Sequence, residues 1–331
     1  MTKIAILHMG GTIAMATDSD TGSVSLQGNN PLSIDSSLLK AYGMEDVEVA
    51  AEVFKNIPSP HVDEEVMLEL RERVLSKIAE GADGIVITHG TDTLEEVAYF
   101  LDLTIEHSVP IVITGAMRSS NELGSDGLPN LLCSIKVAAH PESKNKGTMV
   151  VLNDEIHAAR NVTKINTGNV DTFKSPQFGH IGIVNRRSVN FMQALLGDEY
   201  YPVEHISKKV ILLKSYAGMD GTIFDALDHI ELDGLVIEAL GAGQLPPKTV
   251  ASIKAIIDRG IPVVLVSRCL SGIVEPIYDY KGGGKQLNDM GIIFSNGLNG
   301  QKARLKLAVV LEGAPNSADI NRAFSNYCGD N

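Results

Sequence analysis

The stretch from Gly84 to Thr93, GIVITHGTDT, combines a predicted strand with side chains that could do chemistry. Residues 85–87 form a continuous β-branched run, which is typical of a parallel strand buried on both faces. Thr91 and Asp92 follow directly and place a hydroxyl beside a carboxylate. In an open α/β sheet, ligands bind just past the carboxyl ends of the strands. The stretch therefore predicts a binding site for a polar ligand.

Two further hydroxyls follow predicted strands in the same half of the chain. Thr12 comes after the strand Lys3 to His8, and Ser59 comes after the strand Val47 to Phe54. If these strands are parallel, both hydroxyls converge with Thr91 on one edge of the sheet. A hydroxyl nucleophile is weak at its free pKa and needs a base or a strong field beside it. The pattern favours hydrolysis or group transfer on a small polar substrate.

Lys164 is the residue outside these strand ends that could activate a hydroxyl, together with Thr91 and Asp92. It stands in a polar stretch, residues 156–167. Two other interpretations stay open, because a single lysine is usually a solvated surface group and turn hydroxyls often serve as caps. A non-catalytic sugar-binding or amino-acid-binding module of similar build is the alternative from another functional class.

The hydrophobic pattern predicts an α/β protein with two domains. We expect a larger N-terminal domain over residues 1–190, with a mainly parallel sheet flanked by helices, and a linker over residues 191–209. A smaller C-terminal α/β domain should occupy residues 210–331. The segment from Met15 to Pro31 is rich in polar residues and glycine, so we predict a mobile loop there that acts as a lid. The turn Lys281 to Lys285, KGGGK, lacks the spacing of a phosphate-binding loop and is predicted to be flexible.

Composition narrows the classes of partner. With 41 acidic and 28 basic residues, the formal charge of −13 argues against nucleic acid and anionic membrane surfaces. No signal peptide and no apolar run of membrane-spanning length are apparent. The three cysteines, Cys133, Cys269 and Cys328, show neither paired nor metal-ligand spacing. We therefore expect a cytoplasmic protein that binds a small molecule and uses no metal or other cofactor.

Five segments together resemble the bacterial L-asparaginase and glutaminase family. They are Met9 to Ala14 (MGGTIA), Ile87 to Thr93 (ITHGTDT), Gly115 to Ser119 (GAMRS), Arg160 to Ser175 (RNVTKINTGNVDTFKS) and Asn296 to Arg304 (NGLNGQKAR). The similarity extends over nearly the whole chain. It implies cofactor-free hydrolysis of L-asparagine to L-aspartate and ammonia through a threonine acyl-enzyme.

The resemblance also implies roles for individual residues. Thr12 matches the nucleophile that attacks the side-chain amide carbon. Thr91, Asp92 and Lys164 match a second constellation that activates a hydroxyl or water, and Asp92 also holds the α-ammonium of the substrate. Ser59 matches the position that grips the α-carboxylate. We interpret Lys164 as a charged organiser of Thr91 and Asp92 rather than as a free base.

Two further parts of the site follow from the resemblance. Backbone N–H groups near Gly11 or Thr91 should meet the amide oxyanion. The family completes its site across a subunit interface with a residue from the second domain, and Asp279 is our candidate for that residue. This arrangement implies a homodimer or a homotetramer.

The sequence departs from the family pattern at three places. Residues 15–40 contain no Tyr, although many members carry one on the lid to orient the nucleophile. Pro60 stands where a substrate-binding Gln is common, and Ala242 where an Asn is often found. The choice between asparagine and glutamine therefore stays open. A mixed asparaginase-glutaminase and a catalytically weak amino-acid sensor are the alternatives, and an amidotransferase subunit is less favoured. His89 is expected to be structural.

Overall fold

The chain forms two units, and each contains its own sheet. A computed structural model describes residues 1–18, 21, 24–26, 34–106, 108–195, 199–313 and 316–325. The units are Met1–Tyr200 and Tyr201–Asn331, so they divide inside the segment predicted as a linker. Two-domain α/β architecture with a larger N-terminal part is confirmed. The domain boundaries 1–190 and 210–331 stay predictions.

The first unit is built from twelve strands and four α-helices within the residues that the structure describes. Its strands are β1 (Thr2–His8), β2 (Met15–Thr17), β3 (Val24–Leu26), β4 (Val47–Val53), β5 (Gly84–Thr88), β6 (Ile111–Thr114), β7 (Thr148–Leu152), β8 (Glu155–Ala158), β9 (Thr163–Lys164), β10 (Phe173–Lys174), β11 (Gly182–Val184) and β12 (Val189–Phe191). Its helices are α1 (Ser36–Ala41), α2 (Glu64–Ala79), α3 (Leu94–Thr104) and α4 (Gly127–Ala139). Short 3₁₀ turns cover Thr12–Ala14, Ser59–His61 and Pro141–Ser143.

The main sheet has eight strands in the order β12-β11-β8-β7-β6-β5-β1-β4. The strands from β4 to β7 are parallel, and the last three are added antiparallel. The chain runs from β1 outward to the edge strand β4 and then returns to β5 on the other side of β1. The strand order therefore reverses between β1 and β5. This reversal creates the crevice in which doubly wound sheets bind ligands.

Burial explains why the predicted strands form. Every residue of β5, β6 and β7 is buried, as the continuous apolar runs required. Helix α2 begins after Asp63, whose Oδ1 caps the helix by accepting a hydrogen bond from the Val66 N–H at 3.0 Å. Helices α3 and α4 are buried along most of their length and pack on the sheet. The parallel part of the sheet is thus a rigid support for the loops at its carboxyl edge.

The second unit is a smaller parallel sheet with the strand order β13-β14-β15-β16. Its core lies between this sheet and the helices, with Phe224, Ile237 and Leu265 almost fully buried. The elements are β13 (Val210–Lys214), α5 (Thr222–Ala226), β14 (Gly234–Ala239), α6 (Val250–Asp258), β15 (Val263–Ser267), α7 (Gly284–Asp289), β16 (Ile293–Phe294), α8 (Gly300–Gly313) and α9 (Ser317–Ser325), with a 3₁₀ turn at Leu227–His229. Among the residues described in the two units, no helix is long and apolar enough to cross a membrane.

Two sequence interpretations need correction or restriction. The turn predicted at KGGGK is present at Lys281 and Gly282, but it is packed rather than exposed, because Gly282 to Gly284 are buried and helix α7 begins at Gly284. A Cβ on Gly282 would lie 2.2 Å from the Leu245 carbonyl oxygen, so this position has room only for glycine. In the predicted lid, β2 and β3 pair antiparallel. Residues 19–20, 22–23 and 27–33 lie outside the described residues, and lid closure stays a prediction.

Candidate active site

Three loops meet at the carboxyl edge of β4, β1 and β5, and glycines allow their close approach. Gly11 has a φ of 80°, and a Cβ on it would lie 2.2 Å from the Gly90 Cα. A Cβ on Gly90 would in turn lie 2.8 Å from the Ser59 Oγ. Only residues without a side chain permit backbones to approach so closely. The loops that carry Thr12, Ser59 and Thr91 are thereby held together, as their positions after strands predicted.

Hydrogen bonds tie the Ser59 loop to the start of α3. The Asp92 N–H donates to Ser59 Oγ at 3.3 Å, and the Thr93 hydroxyl donates to the Ser59 carbonyl oxygen at 2.9 Å. Ser59 is buried, with 5% of its surface exposed. A buried hydroxyl with a fixed acceptor role keeps its own proton directed elsewhere, so Ser59 can donate to a bound anion.

Lys164 reaches Thr91 and Asp92 from outside the main sheet. Its Nζ donates to Thr91 Oγ1 at 2.8 Å and to Asp92 Oδ1 at 2.7 Å. The lysine side chain is 16% exposed, whereas that of Asp92 is 62% exposed. The ammonium group thus fixes one hydroxyl and one carboxylate oxygen, which fits a charged organiser. Because Thr91 accepts from Lys164, it retains its own proton as a donor.

These residues surround a cavity of about 340 Å³. Thr12 lies in its wall, half-buried, and its hydroxyl makes no hydrogen bond within the part of the chain that the structure describes. A cavity of this size is suited to a small ligand. Its lining comprises Gly11, Thr12, Met15, Pro58, Ser59, Pro60, Gly90, Thr91, Asp92, Met117, Lys164 and Thr167.

Several lining residues were not singled out from the sequence. Met15 and Met117 add apolar surface to that of Pro58 and Pro60 in the cavity wall. Met117 is held through its backbone, since its N–H donates to both carboxylate oxygens of Asp126 at 3.1 Å. In the sequence, only the position of Met117 after a strand could have indicated that it lines the cavity, because Met117 follows β6 as Thr91 follows β5. Thr167 extends the wall beyond Lys164 and bounds a neighbouring hollow of about 260 Å³.

Asp279 belongs to the second unit, in the segment between β15 and α7. Its side chain is 73% exposed, and its Oδ2 lies 2.6 Å from Lys285 Nζ. Exposed apolar residues lie in the same segment, including Leu270 at 62% and Ile277 at 61%. The carboxylate is therefore held at a surface on which large apolar side chains are also presented.

His89 supports the fold of the loop after β5, which carries Thr91 and Asp92. It is almost completely buried, and its Nδ1 donates to the Gly90 carbonyl oxygen at 2.7 Å, since a carbonyl can only accept. Burial lowers the pKa of His89 to about 4. The ring is therefore neutral at neutral pH, and its Nε2 has no hydrogen-bond partner among the described atoms. This geometry agrees with the structural role expected from the sequence.

The described residues contain no cluster of three or more His, Cys, Asp or Glu side chains that could hold a metal ion. Cys133 lies in α4, and burial raises the pKa of its thiol to about 12, so it is unreactive at neutral pH. The chemistry available at the cavity is that of hydroxyls, a carboxylate and an ammonium group. Cofactor-free catalysis stays a prediction.

Comparison with known proteins matches both units to one family. Residues 3–196 match the family model "Asparaginase, N-terminal", and residues 209–324 match "Glutaminase/Asparaginase C-terminal domain". The two matches span nearly all of both units and agree with the resemblance seen in the five sequence segments.

Individual relatives match along their full length. An L-asparaginase from Bacillus licheniformis is 35% identical over 93% of this chain and 95% of its own. A probable L-asparaginase from Deinococcus radiodurans is 38% identical over 98% of each chain. The crystal structure of a probable cytoplasmic L-asparaginase from Campylobacter jejuni aligns with a TM-score of 0.83 and 34% identity, covering 98% of this chain and 99% of that one. This chain belongs to the asparaginase family.

Proposed function

We propose that the protein is an L-asparaginase, which hydrolyses L-asparagine to L-aspartate and ammonia. The observation that carries the proposal is the Lys164 ammonium group, which bridges the Thr91 hydroxyl and the Asp92 carboxylate in the wall of a cavity that Thr12 and Ser59 also line. Together these residues supply an attacking hydroxyl, an anion and hydrogen-bond donors within one small volume. A zwitterionic amino acid with a side-chain amide requires all three.

The ends of the substrate would be held by opposite charges and dipoles. Lys164 uses one oxygen of Asp92, and the other oxygen can accept from the α-ammonium group. Ser59 can donate its hydroxyl proton to the α-carboxylate. Fixing both groups leaves the side-chain amide to reach toward Thr12, so orientation is set before the chemistry begins.

The reaction would proceed in two steps. Thr12 Oγ1 attacks the amide carbon, its hydroxyl proton is transferred to the amide nitrogen, and the C–N bond breaks so that the nitrogen leaves as ammonia. The resulting acyl-enzyme ester is then attacked by water, which releases aspartate and returns the proton to Thr12. Backbone N–H groups of Gly11 or Thr91 would stabilise the oxyanion in both steps; a lost donor of this kind costs about 3–4 kcal/mol in comparable sites. Thr91, polarised by Lys164, would orient the attacking water.

Glutamine is the second substrate to test, since the matched C-terminal domain is named for both activities. With the α-groups fixed by Asp92 and Ser59, the additional methylene of glutamine moves its amide carbon relative to Thr12. One methylene is typically worth about 1–3 kcal/mol of discrimination. We expect asparagine to be preferred.

We also propose a cytoplasmic homo-oligomer whose site is completed by Asp279 from a second copy. The exposed apolar residues of the segment that contains Asp279 support this arrangement, because large exposed apolar side chains in one segment mark interaction surfaces. The spacing of the cysteines and the similarity to the probable cytoplasmic L-asparaginase from Campylobacter jejuni support the cytoplasmic location.

The deciding experiment measures steady-state ammonia release from L-asparagine and, separately, from L-glutamine. We expect the wild-type protein to release ammonia from asparagine, and we expect the rate of release to fall by several orders of magnitude in Thr12→Ala. Thr17→Ala is the matched control, since Thr17 lies in the neighbouring strand β2 and bonds to Ser119 rather than lining the cavity. Turnover that survives in Thr12→Ala would exclude Thr12 as the nucleophile. Thermal stabilisation by asparagine without ammonia release would favour the amino-acid sensor.

A further inference from the structure

The strand that carries Lys164 is too short to hold its own position. Among the strands that the structure describes, β9 pairs with β10 alone, and the ladder matches Lys164 with Phe173 and Thr163 with Lys174. This two-residue ladder is separate from the eight-stranded sheet. An isolated hairpin is at best marginally stable in water, even when its strands are longer. Contacts outside the ladder must therefore fix the β9–β10 hairpin, and Lys164 with it. The burial of Phe173 supplies one such contact, and polar side chains supply others.

Lys174 provides an anchor to the main sheet. Its Nζ lies 3.0 Å from both carboxylate oxygens of Glu155, the first residue of β8. The same Nζ lies 2.5 Å from Asp171 Oδ1, on the hairpin itself. The side chains of Lys174 and Glu155 are 27% and 23% exposed. The pair is thus shielded from solvent on most sides, and one cation joins the hairpin to strand β8 of the main sheet.

Lys174 is the main positive charge among the groups that surround Glu155. Burial alone would lower the pKa of Lys174, but the bonds from Asp171 and Glu155 outweigh it and raise the pKa. Bonding to Lys174 likewise lowers the pKa of Asp171. His157 Nε2 lies 3.1 Å from Glu155, yet burial lowers the pKa of His157 to about 4, so this ring is neutral at neutral pH. His180 Nδ1 is farther from Glu155, at 3.7 Å.

The other strand of the hairpin is attached to helix α3. The Thr163 hydroxyl donates to Glu95 Oε1 at 3.2 Å, and Glu95 is 5% exposed in the first turn of α3. This helix begins two residues after Asp92. Lys164 thus lies between two attachments, one to α3 and one through Lys174 to β8, and a shift of either moves its Nζ relative to Thr91.

We propose that Lys174 is a positioning residue, which holds the β9–β10 hairpin through Glu155 and Asp171 so that Lys164 reaches Thr91 and Asp92. The catalytic part of this inference rests on the proposed asparaginase function. Lys174 need not contact the substrate, because it acts through the position of Lys164. A misplacement of about 1 Å at a catalytic group can cost about 10²-fold in rate.

The test compares Lys174→Met with Lys174→Arg and with a matched control. Lys77→Met is that control, because Lys77 also bridges two carboxylates, Glu52 at 3.2 Å and Glu80 at 2.9 Å, but lies on α2. We expect Lys174→Met to lower kcat for asparagine by about 10-fold to 100-fold. Lys174→Arg should restore most of the loss, and Lys77→Met should stay near wild type. Equal kcat in Lys174→Met and Lys77→Met would overturn the proposal.

A double variant separates positioning from a general loss of stability. In a Lys164→Met background, Lys174→Met should lower kcat little further, because the group that it positions is already absent. A further fall by the same factor as in wild type would show that Lys174 acts independently of Lys164 and would overturn the inference.

Hydrogen exchange provides a readout that does not depend on catalysis. Backbone amides of residues 161–175 should exchange faster in Lys174→Met than in Lys77→Met, with both proteins folded. If wild type releases no ammonia, the proposed function fails, and the exchange rates alone decide the anchoring role. Unchanged exchange over the hairpin would then reject that role.

Discussion

At the residue scale, the proposed mechanism depends on charges that are fixed rather than on a free base. The Lys164 ammonium group donates to Thr91 and Asp92, and under the proposed function each of these retains a role toward the substrate. Thr91 keeps its proton to donate, and Asp92 keeps its second oxygen to accept from an ammonium group. Removal of Lys164 would therefore disturb both catalysis and substrate binding. For this reason Lys164→Met is less informative alone than in combination with Lys174→Met.

The buried histidine behind the site predicts how stability depends on pH. His89 is neutral in the folded chain, with its pKa lowered by burial to about 4, whereas an unfolded His titrates near 6.5. Between these values the unfolded chain binds more protons, so stability is full above about pH 6.5 and falls as the pH drops toward 4. The loss from His89 alone should reach roughly 3 kcal/mol.

Denaturant titrations at several pH values measure this slope. His89→Asn, in which the amide can donate to the Gly90 carbonyl oxygen, should lose stability less steeply on acidification. The exposed His61 offers a control, and His61→Asn should keep the wild-type slope. If the stability of His89→Asn falls with pH as steeply as that of wild type, groups other than His89 cause the loss of stability in acid. The buried His8 and His157 are then the first candidates.

At the element scale, the approach of the loop after β1 to the loop after β5 sets the position of Thr12, the proposed nucleophile. Gly11→Ala would force a Cβ to within 2.2 Å of the Gly90 Cα, in addition to the cost of a positive φ. Gly81 also has a positive φ, at 94°, but a Cβ there meets nothing within 4 Å. Comparison of these two substitutions isolates the effect of the loop contact from the effect of backbone conformation.

Chemical denaturation should separate the two costs. We expect Gly81→Ala to lower the free energy of unfolding by about 1–2 kcal/mol, from the left-handed conformation alone. Gly11→Ala should cost about 1–3 kcal/mol more, because tightly packed backbone must shift to admit the methyl group. Ammonia release should fall in Gly11→Ala and not in Gly81→Ala. Equal destabilisation of the two variants would mean that the loops separate freely.

How far the sequence could predict these elements depended on local signals. The buried strands β5 and β6 were predictable, because β-branched runs and the polar residues after them are contained within a few positions. The convergence of Thr12, Ser59 and Thr91 followed from the parallel sheet. The β9–β10 hairpin was not predictable, since a two-residue ladder has no periodicity and its anchors, such as Glu155, lie far from Lys164 in sequence. Gly282 to Gly284 were misinterpreted because glycine serves equally in flexible turns and in close packing.

At the scale of the whole molecule, the net charge of −13 and the two separate cores suit an enzyme that binds a zwitterion. The exclusion of nucleic-acid and membrane partners rests on charge and stays a prediction. The proposed homo-oligomer would bury the exposed apolar residues around Asp279 against a second copy of the chain, and such burial is favourable. If each site takes residues from two copies of the chain, the protein is active only when the copies are assembled.

Subunit complementation tests whether the site is shared. If Thr12 and Asp279 of one site come from different chains, mixed oligomers of Thr12→Ala and Asp279→Ala contain one site with both native residues. Random mixing of two inactive variants should then recover roughly a quarter of wild-type ammonia release. The control mixes Thr12→Ala with Lys164→Met, whose residues line the same cavity of one chain, so no site is restored. Native mass in sedimentation should be a multiple of 35.4 kDa in every sample. An active Asp279→Ala variant, or a mixture that stays inactive although sedimentation confirms mixed oligomers, would remove Asp279 from the site.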